Sequence, residues 1–326
     1  MCAKVAVGAD YRYFAKETTF GTAVAANVTF IPTEGFVINR DLKSHVIPRA
    51  TGYRMQSEDA SQDTNGAIPD VTMSFYVSPD SSKLFPAVLQ SSAAYTLTTS
   101  AVLSAYVTYT NLPDFSANQG YFYTIQAEGP AQLYNERLIS AVGKSLKLSV
   151  GPDSNEGCLY AEMGFVAKDS TINAANRTGT DVVPSLSALY KNTINTFSVS
   201  GKSYLSSLYD FELNIMNNAK PIPFGGGANV ALPKIEGNGS FKLIGSDASA
   251  SALKNLCASN RTGNGLSTIL RGTGGLTAVG DMIINCNINL TNYTVERTID
   301  GEETVTYEYI LTQDGSVPAT IGIRFA

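Results

Sequence analysis

Strict two-residue alternation runs through this sequence and limits what it can fold into. In 70–77, Val71, Met73, Phe75 and Val77 alternate with Asp70, Thr72, Ser74 and Tyr76. In 145–150, Leu146, Leu148 and Val150 alternate with Ser145, Lys147 and Ser149. In 159–165, Leu159, Ala161, Met163 and Phe165 alternate with Tyr160, Glu162 and Gly164. The second half repeats the habit. Ile284, Cys286, Ile288 and Leu290 turn away from Asn285, Asn287 and Asn289, and Val305, Tyr307, Tyr309 and Leu311 from Thr304, Thr306 and Glu308. Successive strand side chains point to opposite faces, so each stretch has an apolar and a polar side. Such strands belong to antiparallel sheets with one face on a core and one face wet. The expected fold class is all-β, mainly antiparallel. Two apolar stripes at helical spacing interrupt it: Phe85, Val88 and Leu89, then Leu253, Leu256 and Cys257, with Asp247 as a candidate N-cap of the second. Pro86 suits the first turn of a helix alone, so the first helix is expected to be brief.

The chain also repeats itself. IPDVTMSFYVSPDSSKLFPAVLQSS (68–92) and LPKIEGNGSFKLIGSDASASALKNLCAS (232–259) each open on an aliphatic-Pro pair, alternate up to Ser-Phe, and pass through Asp-x-Ser into a short apolar stripe. Phe36 to Asn39 and Phe211 to Asn214 match in the same way. A period this long reads as a duplicated domain rather than a solenoid. The expected organisation is an N-terminal arm over 1–30, a first β domain over 31–170, a linker over 171–195 and a second β domain over 196–326. Both are expected to be β-sandwich or barrel units with a short flanking helix. The first unit has a longer polar loop than the second, roughly 49–67, and a longer connection after its helix, roughly 91–120.

Catalytic chemistry finds little to work with. His45, the one histidine, lies in NRDLKSHVIPR on an expected strand or hairpin and reads as a surface or satisfied side chain rather than a triad base, and no second His is present for a multi-His metal site. Cys2, Cys158, Cys257 and Cys286 share no CxxC spacing and read as free thiols. FGGGANV (224–230) and RGTGG (271–275) match no phosphate-binding pattern and read as loops. Glu302, Glu303 and Glu308 are glycosidase carboxylates by residue type alone. No catalytic residue, metal or cofactor is expected. The net charge of −5 comes without a basic run, which argues against phosphate-driven nucleic-acid binding. Nothing reads as a signal peptide or as a membrane span. Charged residues make up 16% of the chain, a low share for a surface that must all face water, and this favours a chain covered by partners.

ETTFGTAVAA (17–26), followed by FIPTEGFVINRDLKSHVIPR (30–49) and later by GKSLKLSV (143–150), resembles the tail tube proteins of long-tailed bacteriophages over most of the chain. The resemblance implies β-sandwich units that join sideways into a ring, with rings stacked into a hollow virion tail made in the host cytoplasm. Genomic double-stranded DNA would pass through it without specific binding. Partners would be further copies of the chain, with three two-unit chains per pseudo-hexameric ring, and the tape-measure, tail-tip and tail-terminator proteins. Candidate lumen-facing residues are Asp70, Thr72, Ser74, Glu162, Glu236, Asn238, Ser240, Asn285, Asn287, Asn289, Thr306 and Glu308. Tyr53, Arg54, Glu58, Asp59 and Asp63 are candidates for contact with the next ring. A virion decoration, baseplate or adhesin subunit of tandem sandwiches is the alternative. The tube of a contractile system is a third reading.

Overall fold

The structure is a computed structural model. It describes residues 11–24, 29–30, 33–40, 44–46, 60–62, 69–78, 81–90, 103–108, 115–128, 135–151, 157–172, 174–175, 190–224, 227–232, 235–244, 248–258, 264–272, 282–297, 303–312 and 319–325. The fold is all-β and antiparallel throughout its described pairings, with two short helices.

In chain order the first half contributes β1 (Tyr11–Lys16), β2 (Thr29–Phe30), β3 (Thr33–Arg40), β4 (Ser44–Val46), β5 (Ala60–Gln62), β6 (Pro69–Tyr76), α1 (Pro86–Leu89), β7 (Leu103–Thr108), β8 (Tyr123–Glu128), β9 (Glu136–Val150), β10 (Tyr160–Val166) and β11 (Asp169–Ile172). The second half contributes β12 (Tyr190–Val199), β13 (Lys202–Ser203), β14 (Leu208–Met216), β15 (Lys220–Phe224), β16 (Gly227–Ala231), β17 (Glu236–Ile244), α2 (Ala248–Ala258), β18 (Asn264–Gly272), β19 (Met282–Arg297), β20 (Glu303–Leu311) and β21 (Ala319–Phe325).

One set of neighbour relations occurs twice. In the first half β3 pairs with β6, β6 with β10, and β10 with β9; β9 also takes β8 and β11, and β8 takes β1. In the second half β14 pairs with β17, β17 with β20, and β20 with β19; β19 also takes β18 and β21, and β18 takes β12. A two-stranded hairpin stands between the first two strands of each set, β4–β5 in one and β15–β16 in the other.

Two pairings join the halves: β9 with β14, and β21 with β7. Through the first, the strands run on without a break as β3-β6-β10-β9-β14-β17-β20-β19. Their apolar faces share one core. Val71, Met163 and Leu148 belong to the same buried cluster as Leu213, Phe241 and Tyr307. Phe241 packs between Phe197, at 5.2 Å, and Tyr307, at 5.3 Å. Gly237 and Gly239 stand on the core side of β17, where a Cβ would strike Leu311 and Tyr309 respectively. The fully buried Tyr309 donates its hydroxyl to the Glu212 carbonyl at 2.8 Å.

The alternating segments lie in β6, β9, β10, β19 and β20 with the expected apolar positions buried, save a half-buried Leu311. The first helix is one turn with Pro86 at its start, and α1 rests on Gly143 of β9, where a Cβ would meet Val88. Leu253 of α2 is buried; Asp247 lies outside the described residues.

Three expectations change. Residues 11–16 of the supposed arm are a strand, β1, paired with β8 of the same chain. The supposed linker starts inside β11 and ends inside β12, because Asp169–Ile172 complete a sheet with β9 and Tyr190–Val199 with β18. The glycine-rich stretches are strands in part: Gly227 to Val230 lie in β16, and Arg271 and Gly272 close β18.

Candidate functional site

The outer face of the continuous sheet gathers most of the polar residues singled out above. β6, β10 and β9 align Ser74, Glu162 and Lys147 side by side. β17, β20 and β19 align Ser240, Glu308 and Asn292 in the same order. Between them β14 presents Asn214 opposite Lys147 and Asn238, and Glu212 opposite Ser149 and Ser240. Asp70, Thr72, Glu236 and Thr306 lie on the same side, half-buried or exposed. A shallow open cleft of about 360 Å³ on this face is lined by Glu212, Asn238, Ser240, Thr291 and Glu308.

The charges on this face follow a simple pattern. Lys147 sits 3.1 Å from Glu212 across the junction of the halves, Lys144 pairs with Asp70, and Lys242 lies 2.8 Å from Glu296. That contact holds the Glu296 carboxyl below its usual range. Each of these lysines is spent on a carboxylate. Glu162 and Glu308, which occupy the same place in the two sets, have no ion pair among the described residues. The face therefore carries net negative charge, and a polyanion near it is repelled rather than held.

Asn285, Asn287 and Asn289 depart from this arrangement. Asn285 and Asn287 lie where β19 pairs with β18, opposite Ser267 and Gly265, and do not adjoin β20. The side chain of Asn285 lies outside the described residues. Asn289 is opposite Ile310, but its Oδ1 is buried with no hydrogen-bond partner. Just beyond Asn289 a register shift between Leu290 and Asn292 adds one residue and reverses the parity of the strand. Beyond it Asn292, Thr294 and Glu296 take the wet side. Alternation alone missed them, since no Gly or Pro marks the shift. Tyr53, Arg54, Glu58, Asp59 and Asp63 lie outside the described residues.

The two outer strands of the sheet complete the site. Among the described residues, β3 pairs with β6 alone, and residues 291–297 of β19 pair with β20 alone. Tyr293 and Val295 turn toward the core side yet are 41% and 38% exposed. Stepping along the strand from the aligned glutamates, Leu148 and Val150 of β9 hold the same positions, and both are fully buried under the β14 junction. At the other end Phe36 and Ile38 of β3 are half-buried against the core, with the Arg12 guanidinium 4.6 Å from the Phe36 ring.

Reactive groups are sparse. Cys158 and Cys286 are buried thiols outside any disulfide, and burial pushes the Cys286 thiol up to about 12. Glu303 is tied to Arg297, and Glu308 points to the opposite side of β20, so the two cannot act on one bond. His45 lies in β4, and its side chain is outside the described residues. Among the described residues no group of three or more His, Cys, Asp or Glu converges as a metal site, and no helix is long and apolar enough to cross a membrane. No protein-family model and no curated protein matches the chain.

Proposed function

We propose that this chain is the structural subunit of a phage-type tail tube. It assembles head to tail by adding β19 of one copy to β3 of the next. One observation carries this reading. The chain already contains the junction once, where β9 of the first set pairs with β14 of the second, and β19 and β3 are the corresponding strands left at the two ends. A heterologous contact of this kind makes rings when its rotation closes. Pairing the edges removes an aggregation-prone feature. It also covers Tyr293 and Val295 against Phe36 and Ile38; full burial of such side chains is worth about 1.5–3 kcal/mol each.

On this reading the two strand sets are duplicated tube domains, and three chains supply six of them per ring. The acidic face lines the channel and lets genomic DNA slide past. The subunit resides in the virion tail, with tape-measure, tail-tip and terminator proteins as its partners. Negative-stain electron microscopy of the purified protein, with two-dimensional averaging of end-on views, tests it. Hollow tubes with three-fold or pseudo-six-fold rings are expected. Solitary two-lobed particles that persist when a tail-tip complex is added would overturn it in favour of a decoration subunit.

A further inference from the structure

Residues 17–24, the stretch Glu-Thr-Thr-Phe-Gly-Thr-Ala-Val, are built round a buried carboxyl. Glu17 follows β1 and is 2% exposed. Its Oε1 accepts the Ser140 N–H at 2.8 Å and the Thr124 hydroxyl at 2.7 Å, and its Oε2 accepts the Ser140 hydroxyl at 2.5 Å. Each hydroxyl in turn accepts a backbone N–H from the same stretch: Ser140 Oγ from Gly21 at 2.6 Å, and Thr124 Oγ1 from Val24 at 2.8 Å. The strap thus closes on its own carboxyl through two hydroxyl relays. Hydrogen bonds linked this way strengthen one another, and losing one weakens the rest.

The backbone is shaped for this ring. Ser140 has φ +51°, in the left-handed region, beside a register shift in the pairing of β8 with β9. Gly21 has φ +89°, and a Cβ there would meet the Lys168 ammonium. Between Glu17 and Gly21 the strap carries Phe20. Its ring stacks on Phe115 at 5.4 Å and meets Phe122 edge-on at 5.2 Å. Phe20 closes a small apolar cluster separate from the main core, in which Val142 and Val166 of the first set meet Ala219, Val230 and Leu232 of the second.

We propose that residues 17–24 are a releasable latch, closed by the hydroxyl relays on Glu17, with Phe20 as its lid over the apolar patch where the two strand sets meet. Opening the latch uncovers that patch and loosens the base of the β15–β16 hairpin. The device stands whether or not the chain builds a tube. It also responds to pH. Of the groups packed round Glu17, β8 offers Thr124 and β9 offers Ser140, both neutral, while Lys168, after β10, brings positive charge. Burial raises the Glu17 pKa, against the opposing pull of the Ser140 and Thr124 hydrogen bonds and of Lys168. A carboxyl whose pKa is raised in the closed form favours closure while protonated, and loses that preference as pH rises through the raised value.

Hydrogen exchange of single amides in the full chain tests the latch. In Thr124→Val, Gly21 and Val24 are expected to lose protection together, at least tenfold, although Gly21 donates to Ser140 and not to Thr124. Loss at Val24 alone would reduce the ring to separate bonds and overturn the proposal. Phe20→Ala keeps the relays and removes the lid, so exchange over 219–232 is expected to rise at least tenfold with Gly21 and Val24 still protected; unchanged exchange there would overturn the lid. This variant reads the patch even if Thr124→Val fails to fold. Protection at Gly21 and Val24, corrected for intrinsic rates, is expected to fall with rising pH in the native chain and stay flat in Glu17→Gln. An equal fall in both would remove Glu17 as the pivot.

Discussion

Residues 147–150 of β9 and 292–295 of β19 hold the same place in two matching sets of strands, yet they live in different surroundings. The β9 stretch lies between β10 and β14, and Leu148 and Val150 are wholly buried. The β19 stretch has β20 on one side, and Tyr293 and Val295 keep about two-fifths of their surface in water. The difference teaches that burial at this position comes from the strand next door rather than from the set itself. In the proposed assembly, the neighbour the second set lacks is β3 of the next copy.

The comparison can be broken at its open end first. Replacing Tyr293 and Val295 together by Asp puts charge where the next strand must pack. Tube formation by electron microscopy is expected to be abolished, while the monomer stays folded and loses about 1–3 kcal/mol, since Tyr293 gives up its contact with the buried Tyr307 ring. A collapse of the monomer would show the edge to be structural. Deleting residues 53–64, which removes the short β5 with its pairing to β4, is expected to stop tube growth and leave nearly all of the β signal in circular dichroism; unaltered tubes would exclude that segment from stacking.

At the closed end the cost falls on the single chain. Leu213→Ala empties a core position beside Leu148 at the β9–β14 junction, and denaturant titration is expected to show a loss of about 2–5 kcal/mol. Gly239→Ala drives a Cβ into the Glu212 carbonyl and the Tyr309 hydroxyl, for an expected loss of about 1–3 kcal/mol. The smallest effect belongs to Lys147→Met. The ion pair with Glu212 is about 40% exposed on both sides, so its removal is expected to cost about 1 kcal/mol or less, and less still in high salt.

Much of the sheet could be read in the sequence because alternation reports burial directly. The faces of β6 and β10 follow from their residues one by one. Where β19 passes its register shift, the same rule lost the wet side and overlooked Asn292 and Glu296. A shift of one residue leaves no trace in composition. The latch was equally hidden. Glu17 meets Ser140 across more than a hundred residues of chain, and a short polar stretch with little periodicity gives no sign that its carboxyl is buried. The second helix was legible from Leu253, Leu256 and Cys257, whereas β15 and β16 were obscured by Pro221 and Pro223 within the one and Gly227 at the start of the other.

Each chain carries its strand sets in pairs, fused through β9 and β14. In the proposed ring this fixes parity. Sets enter two at a time, so rings of five or seven sets, the nearest miscounts to six, have no whole number of chains to build them. The fusion acts as an arithmetic check on assembly, and the nearest remaining errors are four and eight, whose curvature differs from that of six far more than five or seven would.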